Sequence, residues 1–153
     1  MSAPRFISIE FLHHPFFPQY NYIQDYYGFQ DEDITVLVDD GDHRPPTRAN
    51  ILAAYETVVR QSQAGDAIFL HYSGHGTKLP DDNGDEDDGY DEALVPLDFK
   101  QAGMIRDDLL YDIIVKGLPP GVHVVALVSL HWLGAKCYYC SALKCGFQIM
   151  ILY

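Results

Sequence analysis

Three short runs of the chain, Ile34–Val38, Ala67–Tyr72 and Val122–Val128, are apolar at almost every position. A strand of that kind needs cover on both of its faces. The segments between the runs carry helical spacing. Strands alternating with helices predict an α/β domain, a mainly parallel β-sheet flanked by helices. In such sheets the chemistry gathers at the carboxyl ends of strands, so residues 71–76 and 128–134 deserve the closest reading.

The punctuation between the strands agrees. Pro45-Pro46 forbids regular structure, and Thr47 is placed to cap a helix running to about Ser62, with Ile51, Leu52, Tyr55, Val58 and Val59 on one face. Gly65-Asp66 closes it. The acidic stretch 81–92 reads as a loop, and Ala93–Pro96 as a short extended piece. Asp107 or Asp108 is expected to cap a second helix through Lys116, ended by Pro119-Pro120-Gly121. Residues 1–22 are aromatic and broken by prolines, and no element is assigned to them.

Charge narrows the partners. The chain has 153 residues, enough for one core, and a net charge of −12. That excludes nucleic acid and an anionic membrane surface as partners, because phosphate contacts need clustered Lys and Arg. It favours a metal ion or a basic peptide. Residues 81–92 alone hold eight of the 22 acids, a repulsion that needs water or a cation to relieve it. No apolar run is long enough to span a membrane, and the first residues lack the form of a secretory signal, so a cytoplasmic location is expected. Cys137, Cys140 and Cys145 form an odd, clustered set, which is no disulfide framework.

The segment His71-Tyr-Ser-Gly-His-Gly76 follows a buried run directly. A His between two glycines there is expected on an exposed tight turn that a substrate backbone can approach. Ser73 makes a poor nucleophile elbow, since His71 and His75 stand where glycines are needed. His71 and His75 make a weak zinc pair, because a spacing of four suits a helix and not a strand followed by a turn. In the acidic loop, Asp81, Asn83, Asp85, Asp87 and Glu92 match calcium-loop spacing, but Glu86 occupies the position that requires Gly. Two readings remain for this loop: a looser calcium site completed by the distant pair Asp107-Asp108, or a solvated acidic surface.

Taken together, DAIFLHYSGHGTKLPDDNGDEDDGYDEALVPLDF resembles the metacaspases, caspase-related cysteine proteases. Tyr27-Gly-Phe29, Val38-Asp-Asp40, Pro46–Leu52 and Lys116–Gly121 extend the likeness across roughly residues 24–128, in the type I arrangement. The resemblance implies a caspase-like fold, incomplete here, and an endopeptidase that cuts peptides or proteins after Arg or Lys with calcium stimulation. A thiolate would attack the carbonyl while a His handles the proton. By this likeness His75 is the catalytic His, Ser73 lines the pocket for the basic side chain, and Asp91, Asp107 and Asp108 are calcium ligands.

The likeness breaks at the second strand end. Where the family runs from its strand into Asp-Ser/Cys-Cys-His-Ser-Gly, this chain has Val128-Ser-Leu-His-Trp-Leu-Gly134. Ser129 then replaces the pocket Asp and His131 replaces the nucleophilic Cys, so the chain is expected to be inactive. Cys137 lies six residues beyond that position, and Cys137-x-x-Cys140 lacks companions for a zinc site. The expected organisation is a divergent segment 1–23, a caspase-like region 24–128 and a divergent tail 129–153. The family's first core strand is not evident in residues 1–22. A sheet without it would expose edges, and the β-rich end Cys145–Tyr153 would add an aggregation risk, so marginal stability is expected. The alternatives are a non-catalytic calcium-binding or regulatory caspase-like module, able to associate with active relatives, or a truncated gene product. The last accords with Val128-Ser129, which splice-donor sequences can encode.

Overall fold

The computed structural model describes residues 4–11, 24–25, 28–81, 84, 89–132 and 147–152. Seven strands form one sheet. They are β1 (Pro4–Glu10), β2 (Ile34–Val38), β3 (Ala67–Pro80), β4 (Tyr90–Leu94), β5 (Ile105–Arg106), β6 (His123–Trp132) and β7 (Phe147–Leu152). Helix α1 spans Arg48–Gln61 and α2 spans Phe99–Ala102. Helix α3, Asp107–Leu110, widens into a π-type turn over Tyr111–Val115.

The parallel part runs β2-β1-β3-β6-β7. It makes the α/β sheet that the sequence predicts. Beyond Ser73, β3 outruns β1, and its last residues turn to an antiparallel partner, β4, which pairs in turn with β5. Gly76 is matched to Leu94 on one edge and to Trp132 on the other, so β4 continues the edge that β1 leaves.

Register explains the two faces. Ile7, Leu70 and Ala126 form one cross-strand row, and Ile9, Tyr72 and Val128 the next. Alternation puts all of them on one side of the sheet. There Ile51, Ala54, Tyr55 and Val58 of α1 and Ile114 after α3 complete the main core. On the opposite face Phe6 stacks on Phe69, with centroids 5.3 Å apart, and the rows above turn polar: Ser8 beside His71, then Glu10 beside Ser73.

Helix α1 is capped as its sequence predicts, with Thr47 Oγ1 accepting from the Asn50 N–H. A second acceptor comes from a distance. Asp98 Oδ1 takes the Arg48 N–H at 2.7 Å, and the Leu97 N–H bonds to the Pro46 carbonyl. The Pro-Leu-Asp-Phe block and the Pro-Thr-Arg block are thus tied together at the helix start.

Four expectations need correction. The first twenty-two residues do contain a core strand, β1, whose residues Phe6–Glu10 are all buried. Its signal is hidden because both faces are buried, which erases alternation, and because Ser8 and Glu10 interrupt the apolar run. The argument for marginal stability from a missing first strand loses its premise, since β1 covers one edge of β3 and β6 the other. Third, residues 73–76 form no tight turn: β3 continues to Pro80, held by β6 and β4. Neither Asp107 nor Asp108 is the helix cap, a position that falls to Arg106 without a side-chain bond. Among the described residues, no helix is long and apolar enough to cross a membrane.

Candidate active site

His75 is half-buried on β3, with buried Gly74 and Gly76 on either side. Parallel pairing sets His75 opposite His131 and Ser73 opposite Ser129. The two strand ends singled out by sequence are therefore neighbours in the sheet, matched residue for residue. Cys137, Cys140 and Cys145 lie outside the described residues, as do Asp82, Asn83 and residues 85–88 of the acidic loop.

The backbone at His75 is held from the apolar face. Tyr72 Oη donates to the His75 carbonyl at 2.8 Å, and the Val95 N–H reaches the same oxygen at 3.1 Å. Burial pushes the Tyr72 hydroxyl pKa far up, so it remains a neutral donor. Gly74 is required for space. A Cβ there would stand 2.6 Å from Phe11 Cδ2 and 2.9 Å from Tyr72 Oη. The Phe11 ring packs edge-on against Tyr72, and the Phe11 N–H bonds to the Ser73 carbonyl. No positive φ is involved at Gly74 or Gly76.

Ser73 is buried, and its register partner on β1 is Glu10. Sequence reasoning assigned no role to Glu10, Ser8 or His71, yet the three form a closed polar group. Ser8 Oγ donates to Glu10 Oε1 at 2.8 Å and lies 3.1 Å from His71 Nδ1, itself 3.3 Å from the same carboxylate oxygen. Such a group satisfies polar atoms that burial would otherwise penalise. The only signal in the sequence was a Ser and a Glu two apart in an otherwise apolar run.

The expected calcium ligands lie at the far end of β3. Asp91 on β4 is 1% exposed, and the Arg106 guanidinium meets its Oδ2. Asp91 Oδ1 is buried and, among the described residues, has no hydrogen-bond partner. Asp107 follows Arg106 and is half-buried; desolvation, then the charge of Glu92, raises its carboxyl pKa. An orphaned carboxylate oxygen and an acid that resists ionisation suit an added cation. The carboxylates are not gathered around one, however. Among the described residues no three His, Cys, Asp or Glu side chains are grouped to hold a metal. Arg106 stands at Asp91 instead.

The metacaspase, peptidase C14 domain family matches residues 19–134. A protein named Metacaspase III c from Phaeodactylum tricornutum is 58% identical over 109 residues, covering 71% of this chain and 32% of that protein. A Metacaspase-1 from Cryptococcus neoformans is 52% identical over 103 residues, covering 66% of this chain and 22% of its own. The chain spans about a third or less of the length of these curated relatives. In fold, the chain is similar to the crystal structure of a Geobacter sulfurreducens protein, GSU0716, with a TM-score of 0.64 at 24% identity, over 87% of this chain and 52% of that one.

Proposed function

This chain belongs to the metacaspase family of caspase-like cysteine peptidases, and from that premise we propose that it is the histidine-bearing part of an endopeptidase unit for peptides with Arg or Lys at the cleaved bond. His75 is the proton-handling base and Ser73 lines the basic side-chain pocket. The observation that carries this reading is the register that sets His75 beside residue 131. A base must lie close to the nucleophile it serves, and the register makes positions 75 and 131 direct neighbours on paired strands.

The same register accounts for the proposed inactivity of the chain as it stands. An imidazole at position 131 cannot form the thioester on which this chemistry depends, and Ser129 brings no charge to meet an arginine. Calcium, in this reading, would be held by Asp91, Asp107 and Asp108 once they drew together around it, and it would neutralise their mutual repulsion. The bare Asp91 oxygen also favours a second reading, a caspase-like module that binds cations without cleaving peptides.

A fluorogenic peptide ending in Arg, assayed with calcium, tests the proposal. The chain is expected to show no turnover. The double variant Ser129→Asp/His131→Cys is expected to gain cleavage that a further His75→Ala change removes. Turnover by the unaltered chain that Cys137→Ala abolishes would overturn the assignment of position 131. A double variant that binds the peptide, remains folded and never cleaves it would favour the module reading.

A further inference from the structure

The pairing of β4 with β5 sets Ala93 opposite Arg106. Asp91 lies two residues before Ala93, on the same side of the strand, so it is the diagonal neighbour of Arg106. The guanidinium takes up Asp91 Oδ2 and also donates from Nη1 to the Pro80 carbonyl at 3.1 Å, which ties the ends of β3, β4 and β5 together. Oδ1 of the same carboxylate is buried and unpartnered among the described residues. A carboxylate so deeply placed, with one oxygen bare, is only half compensated. The chain then adds acids beside it, Glu92 on one strand and Asp107-Asp108 directly after Arg106.

The two partners differ in freedom. Asp91 is 1% exposed and lies within the five-residue strand β4, whereas the Arg106 side chain is 28% exposed on a two-residue strand. A long arginine stem can carry its head into water while the carboxylate cannot follow. A guanidinium on Oδ2 also repels any divalent ion that approaches Oδ1, since both would sit within a few ångströms of each other.

We infer that Arg106 is the resident counter-ion of Asp91 and competes with a divalent cation for it, so that the ion gains this carboxylate only when the guanidinium swings out. The inference deepens the calcium part of the proposed function and rests on it. Arg106 thereby sets the calcium concentration at which the end of the sheet changes its counter-ion.

Calorimetric titration of calcium into the full chain and its variants tests this. Arg106→Gln is expected to bind calcium about tenfold more tightly than the unaltered chain. Arg106→Lys keeps the charge and is expected to stay within about threefold of it. Asp91→Asn added to Arg106→Gln is expected to erase the gain. Equal affinity in the unaltered chain and Arg106→Gln overturns the role of Arg106 and leaves the calcium reading standing. No calcium binding by any variant sinks that reading and the inference with it. Should Arg106→Gln unfold in calcium-free buffer, recovery of its circular dichroism on adding calcium supports the competition, and failure to recover overturns it.

Discussion

Among the described strand residues two carboxylates, Glu10 and Asp91, are buried, and they are treated differently. Glu10 ends β1 in a closed group: Ser8 donates to it and His71 lies within reach, all three from strands packed in the parallel core. Asp91 belongs to the antiparallel end, where one arginine answers one of its oxygens and the other has no described partner. The first arrangement spends its polar capacity inward and stabilises the pairing of β1 with β3. The second retains an unmet demand for positive charge, in a neighbourhood already crowded with acids. A satisfied network is architecture; an unsatisfied one is a place where a ligand can act.

The largest effect is expected at the open site. Arg106→Gln removes the only described partner of the Asp91 carboxylate and should cost about 3–5 kcal/mol in calcium-free buffer, read by urea unfolding. A loss below about 1 kcal/mol would mean that Asp91 is better solvated than the contrast requires. Glu10→Ala opens the closed site, leaving Ser8 and His71 short of a partner, and should cost about 1–3 kcal/mol. That loss should be indifferent to calcium, whereas the Arg106→Gln loss should shrink as calcium is added. Equal calcium responses in the two variants would erase the distinction.

Smaller effects sharpen the picture at either end. Tyr72→Phe deletes the hydroxyl that holds the His75 carbonyl and should cost about 1 kcal/mol, with amide exchange near residues 75 and 95 quickening first. Asp107→Asn tests the acidic end by pH. The folded-state pKa of Asp107 is raised above its ordinary value of 3.8, so its protonated form favours folding. That contribution is fully present below the unfolded pKa and is lost as pH rises through the higher folded one. The Asn variant should therefore melt slightly higher than the unaltered chain at neutral pH. The gap should close when both are measured at about pH 3, where the acid is protonated in either state.

Much of the fold was legible in local pattern. The apolar runs at 34–38 and 67–72 are strands, as is the third run from His123 on; Thr47 begins a helix, and the faces of that helix are as its spacing indicates. The type of sheet followed, and with it the two strand ends worth reading. β1 escaped because a strand buried on both faces has no alternation to detect, and its two polar residues have partners sixty residues away. The continuation of β3 past Ser73 escaped because Gly74 and Gly76 signal a turn locally, whereas β6 pairs with both glycines and β4 takes up Gly76 from the other side.

The candidate site divides along the same line. By itself the sequence determined which residues were candidates, His75, Ser73, Asp91, Asp107 and Asp108, and that position 131 carries an imidazole where the related motif has a thiol. Those are matters of residue identity and spacing along one chain. Only the tertiary structure decided that residues 75 and 131 are register partners, that Glu10 is compensated by Ser8 and His71, and that Asp91 faces Arg106 with one oxygen unmet. Strand register and burial are properties of pairs distant in sequence, set by the packing of the whole sheet, and no single segment contains them.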